Sequence, residues 1–271
     1  MSRWIHEMAW PEIEAYLRTA DIALVPIGAT EQHGAHLPLM VDAAWAIAVA
    51  EGAAEAAKVL VAPPVYVGWS PHHLSYPGGI SLRAETLIQV TVDIGQSLVH
   101  HGFRKLVLVN GNRVANLPPM EIAATRLRFE TGAYVAIADV GLIAKREVRE
   151  ICECEPGGIG HAGESETSFM LYRYGQFVDM SKAAKVMPSR KRVPESHIAL
   201  EPEFEGNSVS VHPTDEEFRR ATAPSGAGGD ALLATREKGE RIYQAIVKNL
   251  AAYIEEIRRI PVTVKPVPIP V

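Results

Sequence analysis

The amino-acid sequence predicts an α/β fold, a three-layer α/β/α sandwich whose mostly parallel central sheet is covered by helices on both faces. Three observations carry this. Four short runs are apolar almost throughout, without the polar alternation of a half-exposed strand. Helix-length segments lie between them. The resulting order, β-α-β-α-β-α-β, calls for crossover connections that bring the loops after the strands to one edge of a parallel sheet.

Taken in order, Ile22 to Ile27 (IALVPI) reads as the first buried strand, and the alanine-rich Ala43 to Lys58 as the helix after it. Val59 to Val67 (VLVAPPVYV) is the second strand, its prolines marking the end. A helix over Ala84 to His101 leads to a third strand, Lys105 to Val109, and a helix over Leu117 to Glu130 leads to a fourth, Tyr134 to Val140. A glycine-rich loop, Gly157 to Gly163, opens a helix near Glu164. From Val186 to Gly229 proline, glycine, serine and charge dominate, with short apolar runs such as Ser208 to Val211. This reads as an irregular excursion on the main body. Asp230 to Arg259 is a long amphipathic helix. The tail, Pro261 to Val271, alternates proline with apolar residues and is expected to be extended and to pack across a neighbour. The whole, residues 1–271, reads as one domain.

Composition narrows the function classes. The 271 residues are 47% hydrophobic and 22% charged, an ordinary globular balance, and the net charge of -5 offers no attraction for nucleic acid or an anionic membrane. No stretch approaches the length of a membrane span, and no signal-type apolar run opens the chain. Cys152 and Cys154 are too close in sequence for an unstrained disulfide and read as reduced thiols, so a cytoplasmic protein is expected.

Polar residues with ligand chemistry follow each strand, where open α/β sheets bind their ligands. After the first come Glu31, Gln32, His33 and His36, with Asp42 close behind. After the second come Trp69, Ser70, His72 and His73, and after the third Asn110, Asn112, Arg113 and Asn116. In an extended segment Glu31 and His33 share one side while Gln32 faces away, and Asp42 can return to the same place. Carboxylate with imidazole is the ligand set of zinc, manganese or iron. The same residues could instead cap helices and bond backbone carbonyls. His161, Glu164 and Glu166 are equally open: acidic residues suit a helix's first turn, but flexible glycines can aim them into a crevice. His72 and His73 could face substrate or solvent. No dinucleotide fingerprint, Walker loop or nucleophile elbow is present.

The run Gly28-Ala29-Thr30-Glu31-Gln32-His33-Gly34-Ala35-His36-Leu37-Pro38-Leu39, with Asp42 behind it, resembles the metal-binding opening of the creatininase (creatinine amidohydrolase) family. Trp69-Ser70-Pro71-His72-His73, Pro77-Gly78-Gly79-Ile80-Ser81-Leu82, Lys105 to Gly111, His161 to Ser168, and Gly226 to Asp230 with Ala234 to Glu240 behind them resemble it too, in order over nearly the whole chain. The resemblance implies a three-layer α/β/α fold, a homo-oligomer (a hexamer) and one or two divalent metals (zinc, manganese or iron) hydrolysing C–N bonds of cyclic or formyl amides. By position, Glu31 would bind one metal and His33 the other, Asp42 would bridge them, and Glu166 would complete the His33 site, with Glu164 as the other candidate. The family's histidine ligand after the third strand is replaced here by Asn112, a weaker donor, and Arg113 adds a positive charge where glycine is usual.

The expected activity is therefore metal-dependent hydrolysis of a small polar cyclic substrate, by default a cyclic amide. Metal ligands would come from Glu31, His33, Asp42, Glu166 and Asn112. Glu164 or His161 would move the proton, and Trp69, His73 and Arg113 would shape the substrate pocket. One alternative is C–C ring opening of an inositol-derived cyclic diketone, to which the Asn112-Arg113 pair lends weight. Another is a metal-free binding or assembly protein.

Overall fold

The computed structural model describes residues 2–187 and 212–267. Strands β1 (Ile22–Ile27), β2 (Leu60–Val61), β3 (Lys105–Asn110) and β4 (Tyr134–Asp139) pair in parallel in the order β2-β1-β3-β4. β1 and β3 are in register from Ile22 opposite Lys105 to Ile27 opposite Asn110, and both are buried at every position. That double burial is the reason their sequences lack polar alternation.

Successive side chains leave a strand on opposite faces, and the two cores divide accordingly. Ile22, Leu24, Val107 and Val109 pack on one face, under α2 (Val41–Ala57), α5 (Lys145–Ile151), α6 (Glu164–Tyr174) and α8 (Arg236–Arg258). Ala23, Val25, Ile27, Leu106 and Leu108 pack on the other, under α1 (Trp10–Leu17), α3 (Ala84–His100) and α4 (Arg113–Thr131). The remaining helix, α7 (Asp215–Thr222), lies by the short turn Pro71–His73, with Phe218 against the His73 ring. Three layers result, as the apolar pattern predicts. Among the described residues no helix is long and apolar enough to cross a membrane.

The differences from expectation are local. The second strand keeps only Leu60 and Val61, because Pro63 and Pro64 have no N–H to continue the ladder; pairing resumes as one bridge between Ile27 and Val65. α4 begins at Arg113 instead of Leu117. Asn112 caps it by accepting from the Ala115 amide, and the helix carries Pro118 and Pro119 inside. α8 begins at Arg236, with Thr235 as its cap, while Asp230 stays outside it in a bridge with Lys185. α1 and α5, each under ten residues, had no distinct periodic signal. The described part of the tail, residues 261–267, lies on its own chain: Lys265 donates its backbone amide to Thr131 and its ammonium to Phe129, and Val264 and Val267 join the α3–α4 core. Of the irregular excursion, residues 188–211, including Ser208 to Val211, lie outside the described residues, as do residues 268–271 of the tail.

Candidate metal centre

Two glycines bring the elements together. A Cβ at Gly28, just past β1, would overlap the Ala43 backbone, and one at Gly111, just past β3, would overlap the Asp42 carbonyl. Only glycine allows both strand ends to press against the N-terminus of α2. That contact carries Asp42, in the first turn of α2, over the sheet edge, where Glu31 and His33 arrive on the loop after β1. Glu166 comes from the first turn of α6. Its aim is set by Ala162, whose backbone takes the left-handed conformation (φ 54°) and directs its amide onto Glu166 Oε2 at 2.6 Å. A non-glycine residue held in that region inside the protein is strained, a feature that collects at working sites.

His33 is the centre of this group. Its Nδ1 lies 3.2 Å from the Glu31 carbonyl oxygen and donates to it, which leaves the lone pair on Nε2. Nε2 is buried without a hydrogen-bond partner, 3.3 Å from Asp42 Oδ1 and 3.7 Å from Glu166 Oε2. A buried imidazole nitrogen flanked by two carboxylates without hydrogen bonding either is a donor set without its acceptor. The electrostatics agree. Burial lifts Glu31 well above the usual carboxylate range, with Asp42 adding to the lift; burial likewise lifts Glu166 to about 7 despite His33. Burial disfavours the charged form of His33 too, but Asp42, Glu166 and Glu31 outweigh it and push the ring up to about 10, so a cation binding at Nε2 would do so by replacing a proton there. A divalent cation beside His33, Asp42 and Glu166 would offset the cost of burying these carboxylates.

Glu31 is differently surrounded. Its Oε2 accepts from Asn112 Nδ2 at 2.9 Å, and its Oε1 lies 3.1 Å from His73 Nε2 and 3.9 Å from His161 Nδ1. Gln32 sets the tautomers of both rings. Its oxygen accepts from the Gly34 amide, so its NH2 donates to His73 Nδ1 and His161 Nε2, each at 3.0 Å. Both rings then turn an N–H toward Glu31. Burial, followed by neighbouring histidines, holds His73 down to about 2 and His161 well below the usual range, so both are neutral.

Not every expected residue is placed as its sequence role requires. His161 stands at the centre, its ring 4.3 Å from that of His33 and 4.6 Å from that of His73. His73, expected as a pocket residue, faces Glu31 directly. Glu164, offered as a proton carrier, is engaged elsewhere: it pairs with Lys238 at 2.5 Å and accepts from the amides of Glu153 and Cys154, which hold it below its ordinary range in spite of burial. Asn112, offered as a ligand through its oxygen, turns that oxygen to the Ala115 amide. Trp69 is tied by its backbone to Asn116 and packs its ring on the α3–α4 core. Arg113 is exposed, and its charge acts on the half-buried Asp139. Gln32 was expected to face away from the site. Residues 31–33 are not in a strand, so the two-residue alternation does not govern them. Its signal was chemical: an amide between ligand-type residues can hold two imidazoles at once.

A family model described as creatinine amidohydrolase matches residues 6–254. The chain is 31% identical to creatinine amidohydrolase of Pseudomonas putida, over 94% of this chain and 97% of that protein. It is 27% identical to 3-dehydro-scyllo-inosose hydrolase of Thermotoga maritima, over 94% and 83% respectively, and 32% identical to the mycofactocin precursor peptide peptidase of Mycobacterium tuberculosis, over 85% and 83%. In structure it is similar to a manganese creatininase (TM-score 0.78, 29% identity, covering 96% of this chain and 100% of that one) and to a zinc–zinc creatininase variant (TM-score 0.77, 30% identity, same coverage).

Proposed function

The chain belongs to the creatininase family of metal-dependent hydrolases, and from that premise we propose that it opens a small polar cyclic amide by hydrolysis at the His33, Asp42 and Glu166 centre. The observation that carries the reading is the buried, unpartnered Nε2 of His33 between two carboxylates. When bound, a divalent metal supplies Lewis acidity, polarising a carbonyl and making water acidic enough to attack near neutral pH. The protein's own groups do the rest. The Glu31 carbonyl holds His33 in its ligating tautomer, and the Ala162 amide steadies Glu166. Of the three rings around Glu31 and Glu166, His161 is the one open to solvent, with 19% of its side chain exposed against 1% and 3% for His33 and His73. It is placed to pass a proton between Glu31 and a leaving nitrogen.

The class of bond rests on the relatives: the Pseudomonas and Mycobacterium proteins are named for cleaving C–N bonds. A second reading, hydrolytic opening of a cyclic diketone, is favoured by the Thermotoga relative and by the altered Asn112-Arg113 pair. Chelator-treated protein, reloaded with zinc or manganese, should be assayed on cyclic amides beside cyclic polyhydroxy ketones. Metal-restored turnover of an amide is expected. Turnover of ketones alone would replace the first reading with the second, and activity indifferent to metal would overturn both.

Two further features complete the reading. Unpaired Cys152 and Cys154 fit a reducing, cytoplasmic setting. The proposed homo-oligomer finds support on α4, where Val114, Ile122 and Phe129, spaced to share one face, are 62%, 52% and 78% exposed.

A further inference from the structure

Asn112 lies where Glu31 and Asp42 come closest to sharing a partner. Its NH2 group donates to Glu31 Oε2 and to Asp42 Oδ2, both at 2.9 Å, while its oxygen accepts from the Ala115 amide at 3.1 Å. This orientation is enforced. Reversed, the amide would set donor against donor at Ala115 and an oxygen against two carboxylates. A carboxamide NH2 has no lone pair available for a metal, but its two hydrogens present positive charge to both carboxylates at once. We propose that the Asn112 amide stands in for a second cation, so that this centre holds one divalent metal, on His33, Asp42 and Glu166, and keeps Glu31 as a hydrogen-bonded carboxylate outside the coordination sphere.

The rest of the Glu31 shell supports this. Ser70 also hydrogen-bonds its carboxylate, and Oε1 receives the N–H of His73, whose tautomer Gln32 sets. Both oxygens are met by protons, and a metal would have to displace the network on each side. Asp42 differs: Oδ2 takes the Asn112 proton, but Oδ1 is turned to the orphaned His33 nitrogen. One aspartate divides its two oxygens between an amide and a metal site. The zinc–zinc form of the similar creatininase variant marks the contrast.

The inference rests on the metal-centre reading above, and the test separates the two. Metal per chain is measured by plasma mass spectrometry after saturation with zinc or manganese and desalting. Wild type is expected to hold about one equivalent, His33→Ala none, and Glu31→Gln still about one. Asn112→Asp removes both donated protons, adds a third carboxylate oxygen beside Glu31 and Asp42, and preserves the helix cap, since aspartate caps as well as asparagine. Its content should rise to about two. Two equivalents in wild type would overturn the single-metal inference and leave the metal centre standing; none in wild type would overturn both. Should Asn112→Asp fold by circular dichroism yet stay at one, Asn112 is not what excludes the second ion. If it does not fold, Glu31→Gln decides: an unchanged equivalent supports the inference, and loss of the metal overturns it.

Discussion

At His33 a hydrogen bond decides what the ring can do: the Glu31 carbonyl takes the Nδ1 proton, and Nε2 is left as the only free donor pair. Losing an outer-shell partner of a metal ligand costs about 10–100-fold in affinity; His33→Ala removes a proposed ligand itself and should exceed that, read by competition with a metal-binding dye. Glu164 makes the opposite case. Buried and paired with Lys238, it is a structural carboxylate. Lys238→Met strands its charge and should cost about 3–5 kcal/mol of stability; metal content should not change. Glu164→Gln should lower the melting temperature while kcat stays within a few fold. A loss above a hundredfold in kcat with melting unchanged would restore Glu164 as a proton carrier. The thiols yield a third expectation. Burial, then Glu164, pushes Cys152 and Cys154 up to about 12. Since the thiolate is the nucleophile, labelling at pH 8 should run at least about tenfold slower than for an unperturbed cysteine. The rate should keep rising as the pH is raised above 9, and denaturant should abolish the difference.

At the scale of elements, the site depends on how closely strand ends approach α2. Gly111→Ala would push a methyl group into the Asp42 carbonyl. We expect a loss of about 3 kcal/mol or more, a melting temperature lower by roughly 6 °C or more, and weakened metal retention, because the displaced residue is a proposed ligand. Unchanged melting would mean that α2 shifts without cost and that the approach is not what positions Asp42. Elements were legible where pattern and partner agreed: β1, β3 and β4 lie within a residue of their expected bounds. They were misread where local chemistry spoke against tertiary context. Pro118 and Pro119 argue for a late start to α4. Yet the Asn112 cap and Asn116, which binds the backbone of Gly28 and Trp69, hold the preceding turn helical.

For the whole molecule, two apolar cores leave little reason for the exposed stripe Val114, Ile122 and Phe129 on α4 unless another surface covers it. If a second copy does, Phe129→Asp should shift light-scattering mass toward the monomer while metal content holds. A wild-type monomer at micromolar concentration would remove the stripe as an oligomer contact. The tail illustrates the same scale. Its extended, apolar character was legible, but the neighbour proved to be the α3–α4 layer of its own chain.

The sequence by itself determined the layered α/β plan, because strands buried on both faces must be apolar throughout and the helices between them must cover both sides. It also singled out the residues proposed for the centre, because Glu31, His33, Asp42 and Glu166 follow strand ends or open helices, where such a sheet collects its site. Which atom each residue presents was decided only in three dimensions. Asn112 turns its NH2 to the carboxylates because the Ala115 amide claims its oxygen. Glu164 is structural because Lys238, 74 positions away in sequence, reaches it. Gln32 commands two imidazoles because His73 and His161 arrive from distant loops. Hydrogen-bond direction depends on every partner at once, and those partners meet only when the chain has folded.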